Sequence, residues 1–154
     1  MTTVRVQRER AFGAAPDDAF RLVTDIEAWP SFWPGLVRVE PGSRWSAPGD
    51  EARLVMRFLR REVLLEMTLH DLVVPRYVAY DSVQAGLPDA RHERHFQPAG
   101  GGTLYRILVE YEPRRGLGGL LDRTIVRAGA NRVARRTLEN LEPLLDASKD
   151  HPRG

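Results

Sequence analysis

The chain has 154 residues, of which 42% are hydrophobic and 29% charged, with a formal net charge of +2. This length suits one domain with a single substantial core, and the near-balance of charge argues against a dedicated nucleic-acid binder. There is no cysteine, which excludes disulfides, thiolate catalysis and cysteine-ligated zinc.

The basic residues are 22 arginines and one lysine, Lys149. That bias fits a GC-rich genome as well as an anion-binding surface. The longest apolar runs, such as Leu72-Val73-Val74, are too short to span a bilayer. The start of the chain, Met1 to Val6, lacks the apolar stretch of a secretion signal. A cytoplasmic protein without a transmembrane segment is expected.

The first element predicted is a strand over residues 2–12, where Val4, Val6 and Arg8 alternate with Arg5 and Gln7. Ala15-Pro16-Asp17-Asp18 then reads as a helix start, with proline and acidic residues in the first turn. Ala19, Phe20, Val23 and Ile26 share one face of that helix. Trp29-Pro30 and Trp33-Pro34 follow, four residues apart. Each proline removes a donor and restricts its predecessor, so a short, bent helical segment is expected. At least one of the two tryptophans is expected to be buried.

Strand-like runs come next: Leu36–Trp45, Glu51–Leu59, Arg61–Val74, Tyr77–Gln84, Arg91–Gln97 and Thr103–Glu112. Turn clusters at 46–50, 75–76, 86–89 and 98–102 separate them. The Pro98–Gly102 turn marks a hairpin. Short strands at this spacing argue for one large antiparallel sheet. A long helical pattern from Leu117 to Asp146 closes the chain. It carries two apolar stripes, Leu117/Leu121/Ile125/Ala128 and Ala134/Leu138/Leu141/Leu145. They are out of phase, which predicts a bend near Gly129 or different partners along the helix. Residues 1–147 read as one domain, and 148–154 as a flexible tail.

The order is α+β. Burying both the sheet face and the long helix requires the sheet to curl around the helix, and such a grip leaves concave space for a ligand. Two stretches carry a resemblance. They are Val23-Thr24-Asp25-Ile26-Glu27-Ala28-Trp29-Pro30 and the run from Gly102-Thr103 through Tyr105, Ile107, Val109 and Tyr111 to Gly116-Leu117-Gly118-Gly119-Leu120-Leu121-Asp122. With the element order, they make the chain resemble the START-like superfamily, which includes the polyketide cyclase/dehydrase family, the aromatase/cyclases and the Bet v 1-type allergens. The resemblance implies the helix-grip fold: a curved antiparallel sheet around a long C-terminal helix, with two short helices after the first strand. It also implies an internal cavity for a small hydrophobic or aromatic molecule, lipid- or polyketide-like. Fold alone does not give the function.

The residues expected to line that cavity are Trp33, Met56, Phe58, Leu65, Met67, Tyr80, Arg94, Tyr105, Ile107, Val109, Leu121 and Ile125. The strand residues are chosen by phase, because each lies on the face that carries its strand's apolar residues. His92, Arg94 and Phe96 share one strand face. If Phe96 points inward, as the resemblance implies, Arg94 and His92 reach the cavity. Arg94 could then hold a carboxylate, phosphate or enolate oxygen. His92 could move a proton, with Tyr80 as a third polar group. The same strand could instead run along the cavity mouth, with both heads in water. His92 and His95 lie on opposite faces and cannot share a metal, and no metal or cofactor is expected.

Three functions stay open on the sequence. The first is ligand binding, and the second is a cyclase/aromatase or dehydratase using Arg94, His92 or Tyr80. The third is a ribosome- or membrane-associated module acting through the basic half of the long helix. A monomer or weak homodimer is expected.

Overall fold

The computed structural model describes residues 3–146, so the expected tail at 148–154 lies outside the described residues. Seven strands form one antiparallel sheet in the order β1-β7-β6-β5-β4-β3-β2. They are β1 (Val4–Phe12), β2 (Leu36–Val39), β3 (Glu51–Phe58), β4 (Arg61–Val73), β5 (Tyr77–Gln84), β6 (Ala90–Ala99) and β7 (Gly102–Tyr111). The helices are α1 (Pro16–Thr24), α2 (Trp29–Phe32), α3 (Leu117–Leu121) and α4 (Arg127–Asp146), with a π-helical segment over Asp122–Val126 joining the last two. The sheet curves around the C-terminal helix.

The alternation that predicts the strands also sets their register. In β1, Val4, Val6 and Phe12 are buried while Arg5 and Gln7 are exposed. The strand runs against the whole of β7, from Val4 opposite Tyr111 to Phe12 opposite Thr103. The β6–β7 turn closes on Gly102, where a Cβ would sit 2.0 Å from the Phe12 carbonyl oxygen, so only glycine fits. β2 is shorter than the sequence suggests. It stops at Val39 because Pro41 and Gly42 turn the chain, Gly42 at a φ of +87°.

The two Trp-Pro pairs break the first helical region as expected. α1 stops at Thr24, whose hydroxyl bonds back to the Phe20 carbonyl. The Trp29 indole N–H then donates to the Val23 carbonyl at 2.8 Å, folding α2 back against α1. Trp29 is 2% exposed. Phe20 of α1 meets Phe96 of β6 edge-on at 5.1 Å, anchoring the short helices to the sheet.

The long helix departs from expectation at its start. Its inward line is Gly119, Asp122, Val126, Ala130, Ala134, Leu138, Leu141 and Leu145, at helical spacing. Leu121 and Ile125, expected to be buried, are 47% and 66% exposed. The irregularity is the π segment, and Gly129 lies within regular α4. Its cause is Asp122, which turns inward to a polar clamp. The carboxylate accepts the Arg114 backbone N–H at 2.7 Å and the Arg114 guanidinium at 2.8 Å, and the Asp122 carbonyl accepts the Tyr111 hydroxyl. Further along, α4 is tied to β1 through Arg8 and Asn131, and to α2 through the Asn140 amide and the Phe32 carbonyl.

Candidate functional site

Between the sheet, the short helices and α4 lies a cavity of about 130 Å³. β5, β6 and β7 supply one wall: Val78, Tyr80, His92, Arg94, Tyr105, Ile107 and Val109. The end of α1 and α2 supply Val23, Thr24, Trp29, Phe32 and Trp33. α4 supplies Ala130, Val133, Ala134 and Thr137, and the β2–β3 loop supplies Trp45. Of the lining residues Val133 is exposed, while Thr24, Trp33, His92, Arg94, Ala130 and Thr137 are half-buried, so the cavity meets the surface beside Val133.

The aromatic side chains form a chain of ring contacts. Trp33 meets Trp29 and Trp29 meets Trp45, each pair edge-on at 5.5 Å, and Trp45 meets Tyr80 at 5.2 Å. The Tyr80 ring stacks flat on His92, with centroids 4.5 Å apart and planes within 3°. Such pairs add to plain area burial. The loop carrying Trp45 is held by Asp50, whose carboxylate accepts the backbone N–H groups of Ser46 and Ala47. Those two bonds keep the Asp50 carboxyl below its ordinary value.

One end of the cavity is polar. The Arg94 guanidinium donates to the Tyr80 hydroxyl at 2.9 Å and to the Glu93 carbonyl at 3.2 Å. It lies 5.4 Å from the Tyr80 ring centre. No carboxylate pairs with Arg94 among the described residues. The His92 Nε2 lies 2.7 Å from the Ser82 hydroxyl, while Nδ1 is buried with no partner. Burial foremost, then the Arg94 charge, holds the His92 pKa well below its usual 6.5, so the ring is neutral at physiological pH. Burial pushes the Tyr80 and Tyr105 hydroxyls upward, opposed by Arg94. At neutral pH the polar end therefore presents a neutral imidazole and two protonated phenols beside the Arg94 guanidinium.

Over residues 3–146 the sequence matches the family described as polyketide cyclase/dehydrase and lipid transport. The chain belongs to that family. No curated protein matches it by sequence. Several solved structures share its fold. The protein TTHA0849 from Thermus thermophilus is 21% identical with a TM-score of 0.74, covering 96% of this chain and 100% of that one. A START superfamily protein from Mycobacterium smegmatis is 16% identical with a TM-score of 0.74, covering 92% and 96%. The di-domain ARO/CYC StfQ from the steffimycin biosynthetic pathway is 14% identical with a TM-score of 0.77, covering 96% of this chain and 51% of that one. These likenesses place the chain in the helix-grip fold of the polyketide cyclase/dehydrase and START proteins.

Within that fold, the structure brings together Trp33, Tyr80, His92, Arg94, Tyr105, Ile107 and Val109 on the cavity wall. It separates the rest of the expected set. Phe58 is 51% exposed, because β3 ends there in a turn with Leu59 and Arg60 at positive φ. Leu65 and Met67 are buried in the packed core, and Met56 is half-buried against it, all away from the cavity. Leu121 and Ile125 face outward, one helical position off the inward line. Sequence reasoning missed Trp29, Phe32 and Trp45 as wall residues. Trp45 follows a turn rather than lying within a strand, so alternation gives no signal for it. His70, on the outer face, pairs with Asp81.

Proposed function

We propose that this polyketide cyclase/dehydrase family member binds a compact hydrophobic or aromatic molecule, lipid- or polyketide-like, with an acidic or enolic oxygen held by Arg94. The observation that carries this reading is a guanidinium on a wall of tryptophans and tyrosines with no carboxylate partner among the described residues. Arg94 is half-buried; a partly desolvated cation without a counter-charge carries a cost, and an anionic ligand group would complete it bidentately. The cavity volume sets the scale of the buried part, since a cavity of about 150 Å³ accepts benzene in another protein. The buried portion is thus one aromatic ring or a short aliphatic segment, and anything longer leaves beside Val133.

The test is calorimetry with an aromatic carboxylic acid and its neutral amide. Wild type should prefer the acid. Arg94→Ala should weaken the acid far more than the amide, whereas equal losses for both would remove Arg94 as the anchor.

A second reading, catalysis in the same cavity, is favoured by His92. Its buried, unpartnered Nδ1 belongs to a neutral ring next to a fixed cation. A dehydratase or cyclase needs a base to take a proton and a cation to steady the enolate that results. His92 and Arg94 supply both. If the reading holds, His92→Gln abolishes turnover of a β-hydroxy-ketone substrate while leaving its binding intact. A parallel loss of binding would assign His92 to binding alone.

A further inference from the structure

The helical stretch from Leu117 to Asp146 has two apolar faces, and only one is covered. Leu117 is 85% exposed, Leu120 60%, Leu121 47% and Ile125 66%. Their three- and four-residue spacing puts them on one side of the helix. The charge around them has one sign. Between Pro113 and Leu138 the sequence has seven arginines and a single acid, Asp122, which is buried against Arg114. Arg115, Arg123, Arg127, Arg132 and Arg136 are exposed, and none has an ion-pair partner among the described residues. Grouped exposed aliphatics rimmed by polar residues mark a docking surface.

The charge decides the occupant. A second copy is a poor one, because a two-fold contact here would set Arg123 and Arg127 against their own counterparts. The stripe is a helix face, not a groove that would receive a peptide. Leucines and an isoleucine between arginines match the interface of a bilayer, where aliphatic groups enter the acyl boundary and guanidinium groups stay with the phosphates. We propose that Leu117, Leu120, Leu121 and Ile125, with Arg123 and Arg127, dock this protein on the surface of an anionic membrane. The attachment is peripheral, since no helix among the described residues is long and apolar enough to cross a membrane. The same helix continues into Ala130, Val133 and Ala134 of the cavity wall, so docking holds that wall near lipid. The proposal stands whether or not the cavity takes an acid.

Co-sedimentation of the full chain with vesicles tests it. One set is phosphatidylcholine alone and the other contains phosphatidylglycerol as well. The protein should bind the mixed vesicles, bind the neutral ones weakly, and be released by salt. Leu117→Ser/Leu120→Ser/Ile125→Ser and Arg123→Gln/Arg127→Gln should each reduce binding by about tenfold or more. Both variants should keep the wild-type melting temperature, because the replaced groups are exposed. Three results would overturn the proposal: equal binding to both vesicle types, variants that bind like wild type, or no vesicle binding. A concentration-dependent dimer that the serine variant abolishes, with vesicles left unbound, would give the face to a second copy instead.

Discussion

Arg94, Tyr80 and Tyr105 occupy wall positions where three apolar side chains would give the more stable protein. Removing Arg94 alone strands the Tyr80 hydroxyl, which is buried and has Arg94 as its donor. The Tyr105 hydroxyl, also buried, bonds Arg94 as well. Removing the guanidinium with both hydroxyls leaves no orphan, and such joint replacements are near-neutral or stabilising. Arg94→Met/Tyr80→Phe/Tyr105→Phe should therefore melt at or above the wild-type temperature, with each 1 kcal/mol worth about 2–4 °C at this size. The same triple variant should lose an acidic ligand by about 30-fold or more, as when a desolvated charge loses its partner. A melt that falls steeply would make the trio structural. His92 gives a pH signature of definite sign. Its folded pKa lies below the unfolded 6.5, so the unfolded state takes up the proton first on acidification. Its contribution is complete above pH 6.5 and is lost as the pH falls towards the folded value, by at most about 1.4 kcal/mol per pH unit. Denaturant titrations at pH 7 and pH 5 should show that loss in wild type, and a smaller one in His92→Gln.

The C-terminal helix shows how an element can be legible in extent and illegible in phase. Its length follows from a periodic pattern with no proline before Pro143. Its inward line at the start is Gly119, Asp122 and Val126, and a rule that sends leucines inward selects Leu117, Leu121 and Ile125 instead. The reason lies outside the helix: Arg114 and Tyr111, on the approach from β7, recruit Asp122 inward. A carboxylate fully covered by an arginine cannot be read from helical periodicity. The clamp makes two predictions. Asp122→Ala leaves the Arg114 N–H unpartnered and should cost about 1–3 kcal/mol in denaturant unfolding. Hydrogen bonding from Arg114, the largest cause, holds the Asp122 carboxyl below its usual 3.8. Its stabilisation is therefore present above that value and lost on acidification below it, so wild type and Asp122→Ala should converge in stability at low pH. At Gly119, alanine would favour an isolated helix by about 1 kcal/mol. Here its Cβ would sit 2.0 Å from the Arg114 carbonyl oxygen, so Gly119→Ala should lower the melting temperature.

Across the whole molecule, the strands were readable because β1 and β7 alternate along their length and β4 does so up to Leu69, where its register shifts, and alternation is a local property. The cavity was only half readable. Its sheet wall follows from strand phase, which picks Tyr80, Arg94, Tyr105, Ile107 and Val109. Its other wall comes from the ends of α1 and α2, the Trp45 loop and α4, elements that meet only after the sheet curls. Phe58, Leu65 and Met67 satisfy the same phase rule and still miss the cavity, since phase does not say how far along a strand the cavity extends. One consequence concerns the tryptophans. The chain has three, and Trp29, Trp33 and Trp45 all stand on the cavity wall, with Trp29 in ring contact with the other two. Selectively excited tryptophan fluorescence therefore reports the cavity, while far-UV circular dichroism reports the sheet and α4. Trp29 reaches α1 through its bond to Val23, and α2 reaches α4 through the Asn140 tie. If the cavity is part of the cooperative core, the two probes should give one denaturant midpoint. An aromatic acid at about 100 times its Kd should then shift both midpoints together, by about 2.7 kcal/mol of added stability. A fluorescence transition at lower denaturant than the dichroism transition would show instead that α1, α2 and the Trp45 loop open as a separate unit, with the ligand's stabilisation confined to that first step.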